Sequence, residues 1–399
     1  MSARRAAYEV VRRTFEEGAY ADRIFPAEAE RARLDDRDRR LAMRLAYGSV
    51  QRVRTLDHAM ETLAARPPDG LQPTLRAALR VGAYQLLFAS GIPARAAVNE
   101  TVDLAKAVAG RHTAGLANAV LRRIADAGPA WVDTLPPALR HSYPDWVAEE
   151  WTAMLGGTEA DALMEAQNEP PELSIRVNTL RPGPLDLGVP AHGDPELPEA
   201  LVLDGPFDVA ASRELAEGAI WPQSRGSMLA ARVLAPEPGM RVLDLCSAPG
   251  GKAGQLAAMM GDRGRLVCVE RHPGRAAALG RTLASQGVTC AEVAPVDALE
   301  FGEDGFDRIL LDPPCSGLGV LAGRPDARWR RTEQAADELA ALQKAMVDHA
   351  LALLAPGGAL VYSVCTLRRE ECEEVAPGGT YLLPHVEGSD GFYIARLDR

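Results

Sequence analysis

A chain of 399 residues is too long for one core and implies two or three domains, and its composition is that of a soluble globular protein. No apolar run reaches the roughly 18 residues needed to span a bilayer, so no membrane partner is expected. The net charge of −11 gives no blanket support for nucleic-acid binding, but residues 1–128 carry 21 Lys+Arg against 15 Asp+Glu, a net of +6, while the remainder carries 23 against 40, a net of −17, so the basic part points to a polyanionic partner.

The opening stretch, MSARRAAYEVVRRTFEE, is Arg-rich and amphipathic like a transit peptide. Glu9, Glu16 and Glu17 oppose that reading, and an ordinary first helix is expected. Residues 1–128 read as helical throughout, with 3.6-residue periodicity at Ala6, Val10 and Val11 and again at Leu116, Val120, Leu121 and Ile124. Pro67-Pro68, Gly91-Ile92-Pro93 and Gly128-Pro129 separate the segments.

Residues 129–235 form a small connecting α/β subdomain, with a helix from Ser142–Trp146 to about Gly156 and a strand at Leu173–Val177. Arg181 to Pro198 shows little periodicity, and a helix follows Trp221-Pro222-Gln223 and runs through Leu234. From residue 236 to the end, strands alternate with helices, which implies βαβ units and a Rossmann-like parallel sheet. Strands are expected at Arg241–Leu245, Leu266–Val269, Thr289–Val293, Arg308–Leu311 and Ala359–Val364, with a last one in Gly391–Leu397.

Four stretches carry chemistry. VLDLCSAPGGK, Val242 to Lys252, is a strand, a Pro-Gly-Gly turn and a helix start, where backbone can approach a ligand closely. It is not a P-loop, because Cys246 stands where the first glycine is required and Ala253 where Ser or Thr is required. Glu270 ends the next strand, about 25 residues after the first, and suits two ribose hydroxyls. Asp297, after the third strand, suits an adenine amino group. Three ligand-like strand ends in a row indicate a nucleoside cofactor. LDPPCSGLG, Leu311 to Gly319, sets Asp312 and two prolines against the edge of a flat base, with Cys315 directly after. Arg324, Arg328, Arg330 and Arg331 with Trp329 then suit a phosphate backbone and a stacked base, as against a plain solvated loop. Finally, VYSVCTL brings Cys365 to the end of a buried strand.

A lone cysteine at a strand end is ordinarily packing. Two at the ends of adjacent strands fit covalent catalysis at carbon 5 of cytosine. A thiolate on carbon 6 makes carbon 5 nucleophilic, and a second thiol assists release. The six cysteines, Cys246, Cys268, Cys290, Cys315, Cys365 and Cys372, show no zinc spacing and no secretory context, so no metal and reduced cytoplasmic thiols are expected.

RDRRLAMRLAYGSVQR (Arg37–Arg52), LRVGAYQLLF (Leu79–Phe88), IPARAAVNETVDLAK (Ile92–Lys106) and GLANAVLRRI (Gly115–Ile124) resemble the NusB-like RNA-binding domain. With the C-terminal motifs they resemble the bacterial RNA 5-methylcytosine methyltransferases of the 16S ribosomal RNA (cytosine 967) type. The resemblance implies an S-adenosylmethionine-dependent enzyme acting on RNA, 16S ribosomal RNA in particular; a cytoplasmic location and a monomer are expected alongside it. It implies cofactor binding by Cys246, Ser247, Ala248, Pro249, Gly250, Gly251, Lys252, Glu270, Asp297 and Asp312. It also implies Cys365 as nucleophile and Cys315 as the thiol that assists release; DNA cytosine methyltransferases use the cysteine after Pro-Pro instead, so this assignment rests on the family. Competing readings are the same chemistry on transfer RNA and an RNA-binding assembly factor that no longer turns over. After Cys365 the chain is shorter than the family pattern, from which a sheet with one strand fewer, or looser packing behind Cys365, is expected.

Overall fold

The computed structural model describes residues 2–399. It divides into two compact units, one running to Glu169 and including Leu321–Arg330, the other comprising Pro170–Val320 and Arg331–Arg399.

The first unit is all-helical. Its first seven helices are α1 (Ala3–Glu16), α2 (Ala21–Ala32), α3 (Asp36–Gln51), α4 (Val53–Ala64), α5 (Pro73–Leu87), α6 (Ala94–Ala109) and α7 (Ala114–Ala127). Their starts follow local chemistry: Asp35 accepts from the Asp38 N–H at 2.8 Å to cap α3, and Pro73 opens α5. The Arg-rich opening is indeed α1, which buries Ala6, Ala7, Tyr8, Val10 and Val11. Helix α5 is buried almost all round, and a Cβ at Gly82 would lie 2.6 Å from Thr101. Asp145–Leu155 forms a further helix, with Trp151 fully buried.

The second unit holds two sheets. The smaller contains β1 (Ser174–Val177), β2 (Ala191–Gly193), β3 (Ala200–Leu203) and β4 (Ile220–Pro222), all antiparallel, in the order β2-β3-β1-β4. Only β1 was legible in the sequence. The larger contains β5 (Arg241–Leu245), β6 (Arg265–Val269), β7 (Ala291–Ala294), β8 (Phe306–Leu311), β9 (Leu354–Val364), β10 (Thr380–Leu382) and β11 (Phe392–Asp398), in the order β10-β11-β9-β8-β5-β6-β7. Strands β5 to β9 are mutually parallel, while β11 runs antiparallel to β9 and β10 antiparallel to β11. This is a Rossmann-like sheet with an antiparallel edge.

Two expectations are corrected. The short segment after Cys365 does supply a strand, β10, so the sheet has seven strands rather than the six expected. Packing behind Cys365 is also tight: Leu367, Glu371, Cys372 and Ala376 are fully buried. The turn Pro356-Gly357-Gly358 lies inside β9 as an irregularity. Gly357 takes φ +76°, its N–H donates to the Arg399 carbonyl at 3.0 Å, and a Cβ on Gly358 would meet the Phe306 carbonyl at 2.9 Å.

Candidate active site

The chain runs from β5 outward through β6 and β7, then returns to lay β8 on the other side of β5. The switch point therefore lies between β5 and β8, where ligands bind beyond the carboxyl ends of the strands. Five parallel strands deliver the singled-out residues there or beside it. Cys246 follows β5, Glu270 follows β6, Asp297 stands just past β7, Asp312 follows β8 and Cys365 follows β9. The switch point is bridged by Lys252, whose Nζ lies 2.8 Å from Asp312 Oδ2.

The two cysteines meet. Cys315 Sγ and Cys365 Sγ are 3.4 Å apart, and both are half-buried. Their loops are clamped by a backbone crossing. The Gly319 N–H donates to the Cys365 carbonyl at 3.0 Å and the Gly391 N–H to the Gly319 carbonyl at 2.8 Å. A Cβ on Gly319 would lie 2.1 Å from the Gly391 carbonyl oxygen, so only glycine fits. The Cys315 thiol is pushed well up by its hydrogen bond to Cys365 and by burial, with Glu371 and Asp312 adding to the effect. Burial works against the Lys252 ammonium, but Asp312 and Cys365 outweigh it and hold the pKa above the usual value. The site thus offers a proton-holding thiol and a fixed cation beside the other thiol.

The β5 turn is built for close approach. Ser247 N–H donates to the Val269 carbonyl at 2.9 Å, Gly250 N–H to Ser247 at 2.9 Å, and Arg275 to the Ala248 carbonyl at 3.1 Å. Pro249 follows a cis peptide. Gly250 takes φ +104° with Leu279 2.9 Å from where a Cβ would stand, and Gly251 is similarly closed by Trp221 Nε1 at 2.9 Å. Glu270 is buried, accepts from the His272 N–H at 2.9 Å and faces Arg275 at 3.2 Å. Asp297 is half-exposed and accepts from Leu299 N–H at 3.0 Å. The Cys246 thiol reports their convergence: burial pushes it up to about 12, and Asp312, Asp244, Glu270 and Asp297 all reinforce that. A thiol so raised is inert as a nucleophile, and the surrounding acids suit a cation.

Asp244 was missed as a site residue in the sequence, where it reads as one more strand position. Its Oδ2 accepts from Ser247 Oγ at 2.7 Å, and its buried Oδ1 has no partner among the described residues. Burial raises its pKa to about 7. An orphaned buried oxygen of this kind calls for a donor from a ligand.

The arginine-rich loop is corrected. Arg328 is fully buried in the helical unit, donating to Ser142 and Gln167 carbonyls and to Asn168 Oδ1 at 2.9 Å, with its guanidinium 3.9 Å from the centre of the Tyr143 ring. Trp329 Nε1 donates to the Val50 carbonyl at 2.7 Å, and Arg330 binds Asp326 and the Gly18 and Ala19 carbonyls. Arg331 donates to the Ser316 carbonyl at 2.9 Å. Of these arginines only Arg324 is exposed. The donors of Arg328 and Arg330 are spent on folding.

A parallel sheet with an acid-rich glycine turn at its switch point and chemistry at the ends of β8 and β9 defines a Rossmann-like group-transfer enzyme. Known proteins narrow this. The family model for 16S rRNA methyltransferase RsmB/F matches residues 231–378, that for the NusB family residues 1–126, and that for the RsmF/B-like ferredoxin-like domain residues 143–210. A probable ribosomal RNA small subunit methyltransferase B from Synechocystis is 33% identical over all of this chain and all of its own length. The ribosomal RNA small subunit methyltransferase B of Salmonella paratyphi B is 31% identical over 99% of this chain and 98% of its own. A methyltransferase homolog structure from Pyrococcus horikoshii is 28% identical, with a TM-score of 0.59 over 68% of this chain and 99% of that one. This chain belongs to the ribosomal RNA small subunit methyltransferase B family and is an RNA methyltransferase, with a NusB-like helical domain, a ferredoxin-like linker and a Rossmann-like methyltransferase domain.

Proposed function

We propose that this protein methylates carbon 5 of a cytosine in 16S ribosomal RNA, using S-adenosylmethionine and a covalent adduct between Cys365 and carbon 6. The observation that carries the reading is the pair of thiols at 3.4 Å, flanked by the Lys252–Asp312 ion pair.

The acid cluster around Cys246 fits a cofactor with a sulfonium and an ammonium, and Asp244 Oδ1 lacks a donor that its ammonium would provide. S-adenosylmethionine, when bound, supplies an electrophilic methyl group. Glu270 would hold ribose hydroxyls and Asp297 an adenine amino group. Asp312 binds the cytosine edge as well as Lys252, orienting the base over the thiols.

Lys252 favours the Cys365 thiolate by its charge. That thiolate adds to carbon 6, and the electron pair reaches carbon 5, which could then take a methyl group from the bound cofactor, the sulfonium leaving as the neutral thioether S-adenosylhomocysteine. Cys315 then manages the remaining proton. Once Cys315 has passed its own proton to solvent, its strongly basic sulfur takes the proton from carbon 5, whose electron pair re-forms the carbon 5–carbon 6 double bond as the carbon 6–sulfur bond breaks and the Cys365 thiolate is restored. A thiol pushed up as far as Cys315 is a poor competitor for the first attack and a suitable proton carrier for the last step.

Cys365→Ser is expected to abolish methylation, and Cys315→Ala to accumulate a covalent RNA adduct visible as a shifted band on denaturing gels. An active Cys365→Ser protein would overturn the mechanism. Bisulfite sequencing of ribosomal and transfer RNA from a deletion strain tests the substrate: loss of one 16S site is expected, and loss of a transfer-RNA site alone would overturn it.

A further inference from the structure

Glu371 is fully buried in the stretch LRREEC that follows Cys365. Its carboxylate accepts four hydrogen bonds. On Oε1 these come from the Ser316 N–H at 2.8 Å and Gln343 Nε2 at 3.0 Å; on Oε2 they come from Ser316 Oγ and from Thr366 Oγ1 at 3.3 Å. Ser316 adjoins Cys315 and Thr366 adjoins Cys365, and the two hydroxyls are themselves 2.6 Å apart. Gln343 extends the grip by donating to the Pro314 carbonyl at 2.8 Å, on the other side of Cys315. Tyr362, on β9, donates to Gln343 Oε1 at 3.0 Å and to the Glu371 carbonyl at 2.7 Å.

One carboxylate therefore fastens both cysteine loops. None of its four donors is a cation, although burying a carboxylate is costly. What it supplies is acceptor capacity on both oxygens, which no neutral side chain of that size provides. Besides Glu371, the Ser316–Thr366 hydroxyl contact and the Gly319–Cys365 backbone hydrogen bond tie the two loops, and Glu371 braces that hydroxyl pair from behind. We propose that Glu371 is a positioning residue that holds the Cys315 and Cys365 thiols at contact distance. The proposal rests on the covalent reading for its consequence in catalysis, and on geometry alone for the spacing.

The test separates the two. Glu371→Ala removes both acceptor oxygens and with them all four hydrogen bonds. Glu371→Gln keeps one acceptor oxygen for the two N–H donors and offers an amide to hydroxyls that can turn to accept it. The spacing is read without RNA, by bridging the full-length protein with dibromobimane and mapping the linked cysteines by mass spectrometry. Wild type and Glu371→Gln should yield the Cys315–Cys365 bridge, and Glu371→Ala should not. In turnover, a misplacement of this kind should lower kcat about 100-fold in Glu371→Ala, with KM for RNA and cofactor within about two-fold of wild type, and Glu371→Gln should recover most of it. Should Glu371→Ala fail to fold, the Ser316→Ala/Thr366→Val protein is read in its place, with loss of the bridge expected. Undiminished bridging, or wild-type kcat, in the folded variant overturns the proposal. A methylating Cys365→Ser protein overturns the covalent reading instead and leaves the bridging result standing.

Discussion

Asp244 shows what burial does to a single acid. It lies on β5 beneath the turn, and desolvation raises its pKa from 3.8 to about 7. A raised folded-state value gives a definite sign. Below about pH 4 both states hold the proton and nothing is lost. As pH rises from about 4 to about 7 the unfolded chain releases the proton first, so stability falls, and above about 7 the loss is complete. The separation of about 3 units sets an upper limit of about 4 kcal/mol. Asp244→Asn should flatten this fall in urea titrations run from pH 4 to 8. A cationic ligand that meets Asp244 needs the ionised acid, so cofactor affinity should rise through pH 7 in wild type and lose that rise in Asp244→Asn, as calorimetry in two buffers of different ionisation heat would read.

At the scale of elements, legibility followed periodicity. The helical character of residues 1–128, the periodic faces of α1 and α7 and the buried strands β5, β6, β8 and β9 announce themselves by apolar pattern, whereas the breaks between α1, α2, α3 and α4 and between α6 and α7 do not. Strands β2, β4 and β10 have three residues each, too few for an alternating pattern to register, and the four-residue β3 follows a Pro- and Gly-rich stretch that gives it no periodic lead-in. The residues after strands were legible because a glycine turn or an acid at a strand end has a chemical reason to be there. The arginine loop misled for the converse reason: basic side chains beside a tryptophan look the same whether they meet phosphate or backbone carbonyls. Sequence carries the donors but not their acceptors, and Arg328 finds its own 160 and more positions away. Arg328→Ala should accordingly destabilise the protein by about 3 kcal/mol, since it strands two carbonyls and an amide oxygen and opens a cavity under Tyr143. Arg324→Ala, at an exposed position, should stay within about 0.5 kcal/mol, and chemical melts of the two variants provide the comparison.

For the whole molecule, the charge distribution predicts where RNA would be gripped. The chain after residue 128 carries a net of −17, so its bulk repels a polyanion, and the +6 of the N-terminal part has to supply the attraction. Much of that positive charge is already paired, as Arg12 and Arg13 are with Glu9, Glu17 and Glu28. On α3, however, Arg37, Arg40 and Arg44 are all exposed and recur at helical spacing, forming one basic ridge. The same ridge explains why a domain of that kind can be basic while the protein is acidic: only a face has to be positive. Phosphate contacts release counterions, so the slope of log affinity against log salt counts them, at about −0.7 per contact on single strands. Reversing all three arginines to glutamate should reduce the magnitude of that slope by about 2 and weaken RNA binding steeply at low salt. Methyl transfer at saturating RNA should stay near wild type, because none of the three belongs to the unit that holds Cys365. Filter binding across a salt series, with single-turnover methylation on the same protein, checks both halves. An unchanged slope would mean that the ridge is solvated surface and that another face of the helical domain meets the RNA.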